Sequence, residues 1–159
     1  MIFFRTFILP LATMALASCN EVQVCQICLE NDASRPLSQR EASQVYIYHN
    51  RAKLPSLARN IFYKERCGID CKAIMRFDVP SEKAGEVAET LSGQTMRPLD
   101  QNDLSNFLLD GDSGVSWWLP PATKNLVGAS GNIGGGQLAR IAIIDRGAIS
   151  RIYLSSWQM

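Results

Sequence analysis

Four cysteines stand in two close pairs, Cys25-Gln26-Ile27-Cys28 and Cys67-Gly68-Ile69-Asp70-Cys71, with Cys19 ahead of them. Four thiolates at nearly these spacings could surround a tetrahedral zinc ion. A redox-active C-x-x-C would open a helix that follows a strand, and nothing ahead of Cys25 supplies that strand. Haem attachment needs histidine after the second cysteine, and Leu29 stands there. Structural disulfides are the ordinary state of such pairs outside the cytoplasm. Cys25, Cys28, Cys67 and Cys71 are therefore disulfide candidates, and four cysteines allow three connectivities that sequence does not separate. A bond between the two pairs would close a loop of about 40 residues, worth about 3–4 kcal/mol on the chain-entropy account.

Other patterns are weaker. Gly111-Asp112-Ser113-Gly114 resembles the segment around the nucleophile of trypsin-like serine proteases, which implies a histidine base and a buried carboxylate. The only histidine, His49, lacks the small residues that precede that family's histidine, and Val115 replaces the glycine that normally follows the motif. A polar turn is the expectation. Asp110, Asp112 and Gly114 open a calcium-type loop, but no acid follows before Asp145. The glycine run from Gly128 to Gly136 contains neither phosphate-binding signature and is expected to be a flexible loop. Glu82, Glu86 and Glu89 fit a solvated helix face, and His49 an exposed or edge position. No catalytic residue, metal or cofactor is expected.

Trp117-Trp118-Leu119-Pro120-Pro121 is the one aromatic concentration in polar, glycine-rich surroundings. Tryptophan is enriched where proteins meet partners, which makes Trp117 and Trp118 partner-binding candidates. The competing expectation is that one or both fill the core.

The elements that would position these residues follow from periodicity. Gln44 to Tyr48 is β-branched and aromatic, which predicts a strand. Ala73, Met75, Phe77 and Val79 alternate onto one face, and with Arg59 to Arg66 they predict a hairpin whose tip is flanked by Cys67 and Cys71. Ser81 and Glu82 suit a helix start. Ala84, Val87, Ala88 and Leu91 then mark one buried helical face, and Gly93 marks its end. A second helix is expected over residues 103–109, and residues 110–136 read as irregular. Leu138 to Ile144 and Ile149 to Leu154 predict a closing hairpin turned at Asp145-Arg146-Gly147. The pattern implies an α+β fold, an antiparallel sheet built largely of hairpins with one or two helices on one face.

The N-terminus carries an address. Arg5 is followed by an apolar run from Thr6 to Leu16, then Ala17-Ser18-Cys19. A basic start, a core of about 7–15 apolar residues and small residues at the cut define a secretory signal. The run falls short of the ~20 residues that span hydrocarbon. Leu16-Ala17-Ser18-Cys19 resembles the lipobox of bacterial lipoproteins, which implies cleavage before Cys19 and acyl chains on its thioether and amine. Several chains, at ~0.8 kcal/mol per buried CH₂, would hold a small domain at a bilayer. Ala15-Leu16-Ala17 also fits ordinary cleavage after Ala17, which would release a soluble protein. Five cysteines argue otherwise, because lipidation of Cys19 leaves an even set. Asn20, in place of the aspartate that retains this class at the inner membrane of enteric-type bacteria, is compatible with the outer membrane.

The expected organisation is a signal over 1–18, a lipidated tether over 19–43 and one globular domain over 44–159. Without its signal the chain keeps about 140 residues, the size of one domain. Loss of Arg5 also removes the single positive charge in excess. A charge-balanced domain carries no electrostatic footprint for nucleic acid and no polybasic patch for anionic lipid. The expectation is a non-enzymatic envelope lipoprotein that meets the bilayer through Cys19 and an envelope protein through its domain. An immunity or exclusion lipoprotein, or an envelope enzyme, are the alternatives.

Overall fold

The best alternation in the sequence, Ala73 to Val79, becomes the second strand of a sheet in a computed structural model. The structure describes residues 35–50, 54–67, 71–110, 115–118, 126–134 and 137–158. In chain order these form helix α1 (Gln39–Asn50), strands β1 (Arg59–Cys67) and β2 (Cys71–Pro80), and helix α2 (Ser81–Ser92). A short β3 (Arg97–Pro98), helix α3 (Gln101–Asp110) and a 3₁₀ turn (Ser116–Trp118) follow. Strands β4 (Val127–Gly134), β5 (Gln137–Asp145) and β6 (Ile149–Gln158) end the fold. The six strands lie in the order β1-β2-β6-β5-β4-β3, antiparallel throughout. The architecture is α+β, as the periodicity implies.

Alternation sorts the side chains onto two faces. Ala73, Met75, Phe77 and Val79 of β2 meet Ile141 of β5 and Ile152 and Leu154 of β6, beneath Ala84, Val87, Ala88 and Leu91 of α2. Ala42 of α1 joins the same cluster. The helix is stopped by Gly93, whose φ of 62° is the left-handed conformation that glycine adopts at least cost. The opposite face is not bare. Ile74, Ala142, Ile144 and Tyr153 are covered by Phe107 of α3 and by both tryptophans of the 3₁₀ turn. The helices thus divide between two faces instead of sharing one.

Two segments differ from expectation. Gln44 to Tyr48 lies inside α1 and is helical, not a strand. A reciprocal cap outweighs its β-branched composition: Ser38 Oγ accepts from the Glu41 amide at 3.2 Å, and Glu41 Oε2 accepts from the Ser38 amide at 2.8 Å. Packing also begins ahead of residue 44, where Leu37 donates its amide to the Ile61 carbonyl at 2.6 Å as an antiparallel bridge beside β1. The glycine run, expected as a loop, is largely strand β4, paired with β5 from Val127↔Ile143 to Gly134↔Gln137. Its glycines answer close packing. A Cβ on Gly128 would lie 2.3 Å from the Ile141 carbonyl oxygen and 3.0 Å from the Leu99 side chain.

Candidate functional site

Both tryptophans proposed as a docking surface are buried, Trp117 at 7% and Trp118 at 1% exposure. That corrects their assignment as partner-binding residues. Trp118 stacks on Phe107 at 5.2 Å between centroids and meets Tyr153 edge-on at 5.7 Å. Trp117 lies 5.6 Å from Phe62. The 3₁₀ turn points both rings at the sheet, so an irregular segment supplies the largest apolar groups of this face. Burial carries a cost, because the Trp118 indole N–H is buried without a hydrogen-bond partner.

Polar chemistry concentrates where this aromatic cover meets strands β1, β2 and β6. Arg76 of β2 places its guanidinium 4.1 Å above the Phe62 ring and 5.9 Å from Trp117, and donates Nη1 to the Trp117 carbonyl at 3.4 Å. Its Nε is buried without a partner. Two positions along β2, Asp78 faces Arg151 across the ladder. Arg151 donates Nε to Oδ1 at 2.7 Å and Nη2 to Oδ2 at 3.1 Å, a two-point grip. Asn60 Nδ2 adds a third donor at 3.0 Å. Asn60 holds φ at 50°, inside a register irregularity between Arg59 and Phe62. That left-handed backbone strains most residues, and asparagine tolerates it better than most. The bulge places its amide against the carboxylate.

These contacts set the charge states. Burial would raise the Asp78 carboxyl, but the Arg151 and Asn60 hydrogen bonds and the nearby Arg76 charge outweigh it and hold it below its usual range. Burial lowers the Arg76 guanidinium, and the like charge of Arg151 lowers it further. The hydrogen bond to Asp78 raises Arg151. Asp78 is thus a fixed anion with both oxygens engaged, poorly placed to carry a proton in catalysis. The cluster pins β1, β2 and β6 together and seats the Trp turn on Arg76.

Of the other candidates, Cys67 and Cys71 are Cα partners closing the β1–β2 hairpin, and Cys71 is disulfide-bonded. Cys19, Cys25 and Cys28 lie outside the described residues, as do Gly111 to Gly114. Glu82, Glu86 and Glu89 sit exposed on α2, where Glu86 pairs with Lys83 at 2.8 Å. Among the described residues no three metal-ligating side chains converge, and no helix is long and apolar enough to cross a membrane. A depression between α3 and strands β4 and β5, lined by Asp103, Phe107, Ser130 and Arg140 among others, encloses about 10 Å³, space for one water.

The Asp78 cluster carried no motif in the sequence. Asp78 and Arg151 are 73 residues apart, and only the β2–β6 register joins them. No family model, curated protein or solved structure matches this chain.

Proposed function

We propose that the protein is a bacterial envelope lipoprotein, held to a bilayer through acyl chains on Cys19, whose domain serves binding and not catalysis. The observation that carries this reading is the apolar run ending in Leu16-Ala17-Ser18-Cys19. Leu37, the first packed residue of the described domain, follows Cys19 by a stretch long enough to act as a tether. The engagement of Asp78 supports the non-enzymatic part, because the most buried carboxylate among the described residues is spent on holding strands together. Asn20 favours the outer membrane over the inner. The partner is an envelope protein.

Mass spectrometry of the protein extracted from membranes tests the anchor. The expected N-terminal peptide begins at Cys19 and carries acyl chains, and Cys19→Ser abolishes both processing and membrane association. An N-terminus at Ser18 with a free thiol on Cys19 overturns the proposal.

A further inference from the structure

The Asp78 end of the tryptophan face carries more positive charge than its ion pair uses. Register sets Arg76 and Asp78 of β2 opposite Tyr153 and Arg151 of β6. The two arginines are therefore diagonal neighbours on adjacent strands, about 7–8 Å apart at the backbone. Arg146 stands two residues past Ile144, which belongs to the same face, and its amide donates to the Ile149 carbonyl at 3.1 Å in the β5–β6 turn. The charges of Arg151 and Arg146 both act on the Arg76 guanidinium and lower it. Three arginines thus gather where Asp78 is the one carboxylate bonded to any of them among the described residues, so two positive charges are in excess. Arg59, opposite Asp78 on β1, turns instead to the Ser56 and Ala58 carbonyls at 2.8 and 2.9 Å.

Packing accounts for two of the three. Arg151 grips Asp78 through Nε and Nη2, and Arg76 lies against the Phe62 ring. Arg146 is exposed, and its side chain bonds to no acid among the described residues. Like charges held this close repel, so a third arginine that closes no contact weakens the fold until an anion joins it. Arg76 Nη2 and Arg151 Nη1 stand outside the hydrogen bonds that hold their side chains. A phosphomonoester carries close to two negative charges at neutral pH and offers three acceptor oxygens, and arginine forks match that geometry. A carboxylate brings half the charge and would only repeat Asp78.

We infer that Arg76, Arg146 and Arg151 form a binding site for a phosphomonoester, whose dianion balances the two surplus charges. Asp78 fixes Arg151, and the Phe62 and Trp117 rings fix Arg76, so two of the three donors are set before the ligand arrives. Arg146 supplies the outermost donor from the exposed turn. The balanced charge of the whole chain conceals the site, because the excess is local. A free phosphorylated compound and a lipid headgroup offer the same chemistry. The site lies within the folded domain and stands whether or not Cys19 carries lipid.

Nuclear magnetic resonance of the intact protein in maltoside micelles, at constant ionic strength and pH 7.5, tests it directly. Inorganic phosphate is expected to shift the Nε–H signals of Arg76 and Arg151 and the amides of residues 146–151 saturably, whereas chloride does not. Arg146→Ala, a change on an exposed turn, is expected to weaken that response about tenfold while the remaining amide signals keep their places. Arg146→Lys, which keeps the charge and loses the fork, recovers only part of it. Micelles doped with phosphatidic acid separate the two sources: saturation at a tenfold lower concentration than inorganic phosphate assigns a lipid headgroup, and a weaker response assigns a free phosphate compound. Shifts that fail to saturate with either probe, that chloride reproduces, or that Arg146→Ala leaves unchanged overturn the inference.

Discussion

The two faces of the sheet solve the same problem by different means. Beneath α2 the core is aliphatic and regular: Ala73, Met75, Phe77 and Val79 alternate along β2, and Ala84, Val87, Ala88 and Leu91 repeat along the helix. On the other face the cover is aromatic and largely irregular, supplied by a three-residue turn with Phe107 of α3, and it rests on a half-buried arginine beside an ion-pair cluster. Apolar surface gains by burial wherever it meets more of the same, so the first face tolerates substitutions that keep volume. The second depends on particular partners, because its charges and indoles are stabilising only while their contacts stay intact.

The largest effect is expected at Trp118. Trp118→Ala removes a side chain packed between Phe107 and Tyr153 and costs about 3–5 kcal/mol of stability, read from urea unfolding. Phe77→Ala, at 0% exposure on the helical face, falls in the same range. If Trp118→Ala instead leaves unfolding unchanged, the indole is no core element and the docking role returns.

Breaking the ion cluster comes next. Asp78→Ala leaves Arg151 and Arg76 without their anion and is expected to cost about 2–3 kcal/mol. Exchanging Asp78 and Arg151 together for a well-packed apolar pair costs less than the single change. The pH dependence has a definite sign. The folded carboxyl of Asp78 lies below its unfolded value, which is near 3.9 for a free aspartate. Its contribution is therefore complete above about pH 4–5 and fades as pH falls through the folded value. The stability gap between wild type and Asp78→Asn, measured across pH 2–7, should narrow only at the acid end. A gap that stays constant to the lowest pH removes the ion pair as its cause.

Gly128→Ala separates sheet packing from loop flexibility. A methyl there meets the Ile141 carbonyl oxygen at 2.3 Å, a contact that requires backbone movement and is expected to cost about 1–3 kcal/mol. A free loop at this position would register no loss.

What the sequence disclosed depended on period. Ala73 to Val79 alternates, Ala84 to Leu91 repeats at helical spacing, and two apolar runs flank the turn at Asp145-Arg146-Gly147; the hairpin from Arg59 to Pro80, helix α2 and the closing β5–β6 hairpin each form near their expected limits. Strand β4 escaped notice because its period is written in glycines, which bear no side chain to alternate; their reason is the close approach of β5 and Leu99. The Asp78 cluster escaped for another cause. A contact between positions 78 and 151 is set by strand register, and no local spacing encodes it. Trp117 and Trp118 were visible as residues, yet their burial follows from Phe107 and Tyr153, distant neighbours that only the fold assembles.

The smallest expected effect concerns the segment where local signals conflicted. Val45, Tyr46, Ile47 and Tyr48 favour a strand by composition, yet Ser38-Gln39-Arg40-Glu41 is a capping box, and both of its reciprocal bonds form. Glu41 is further held by Arg35 at 3.1 Å, and the Arg35 and Ser38 hydrogen bonds draw its carboxyl down to about 2. Ser38→Ala removes one of the two capping bonds and should cost about 1 kcal/mol, with faster amide exchange over the first turn of α1. Ser38→Asp keeps the cap and should preserve protection. If both variants exchange alike, the cap does not decide between helix and strand. The helix would then owe its existence to Ala42, buried at 0% exposure in the core shared with Leu37 and Ile61.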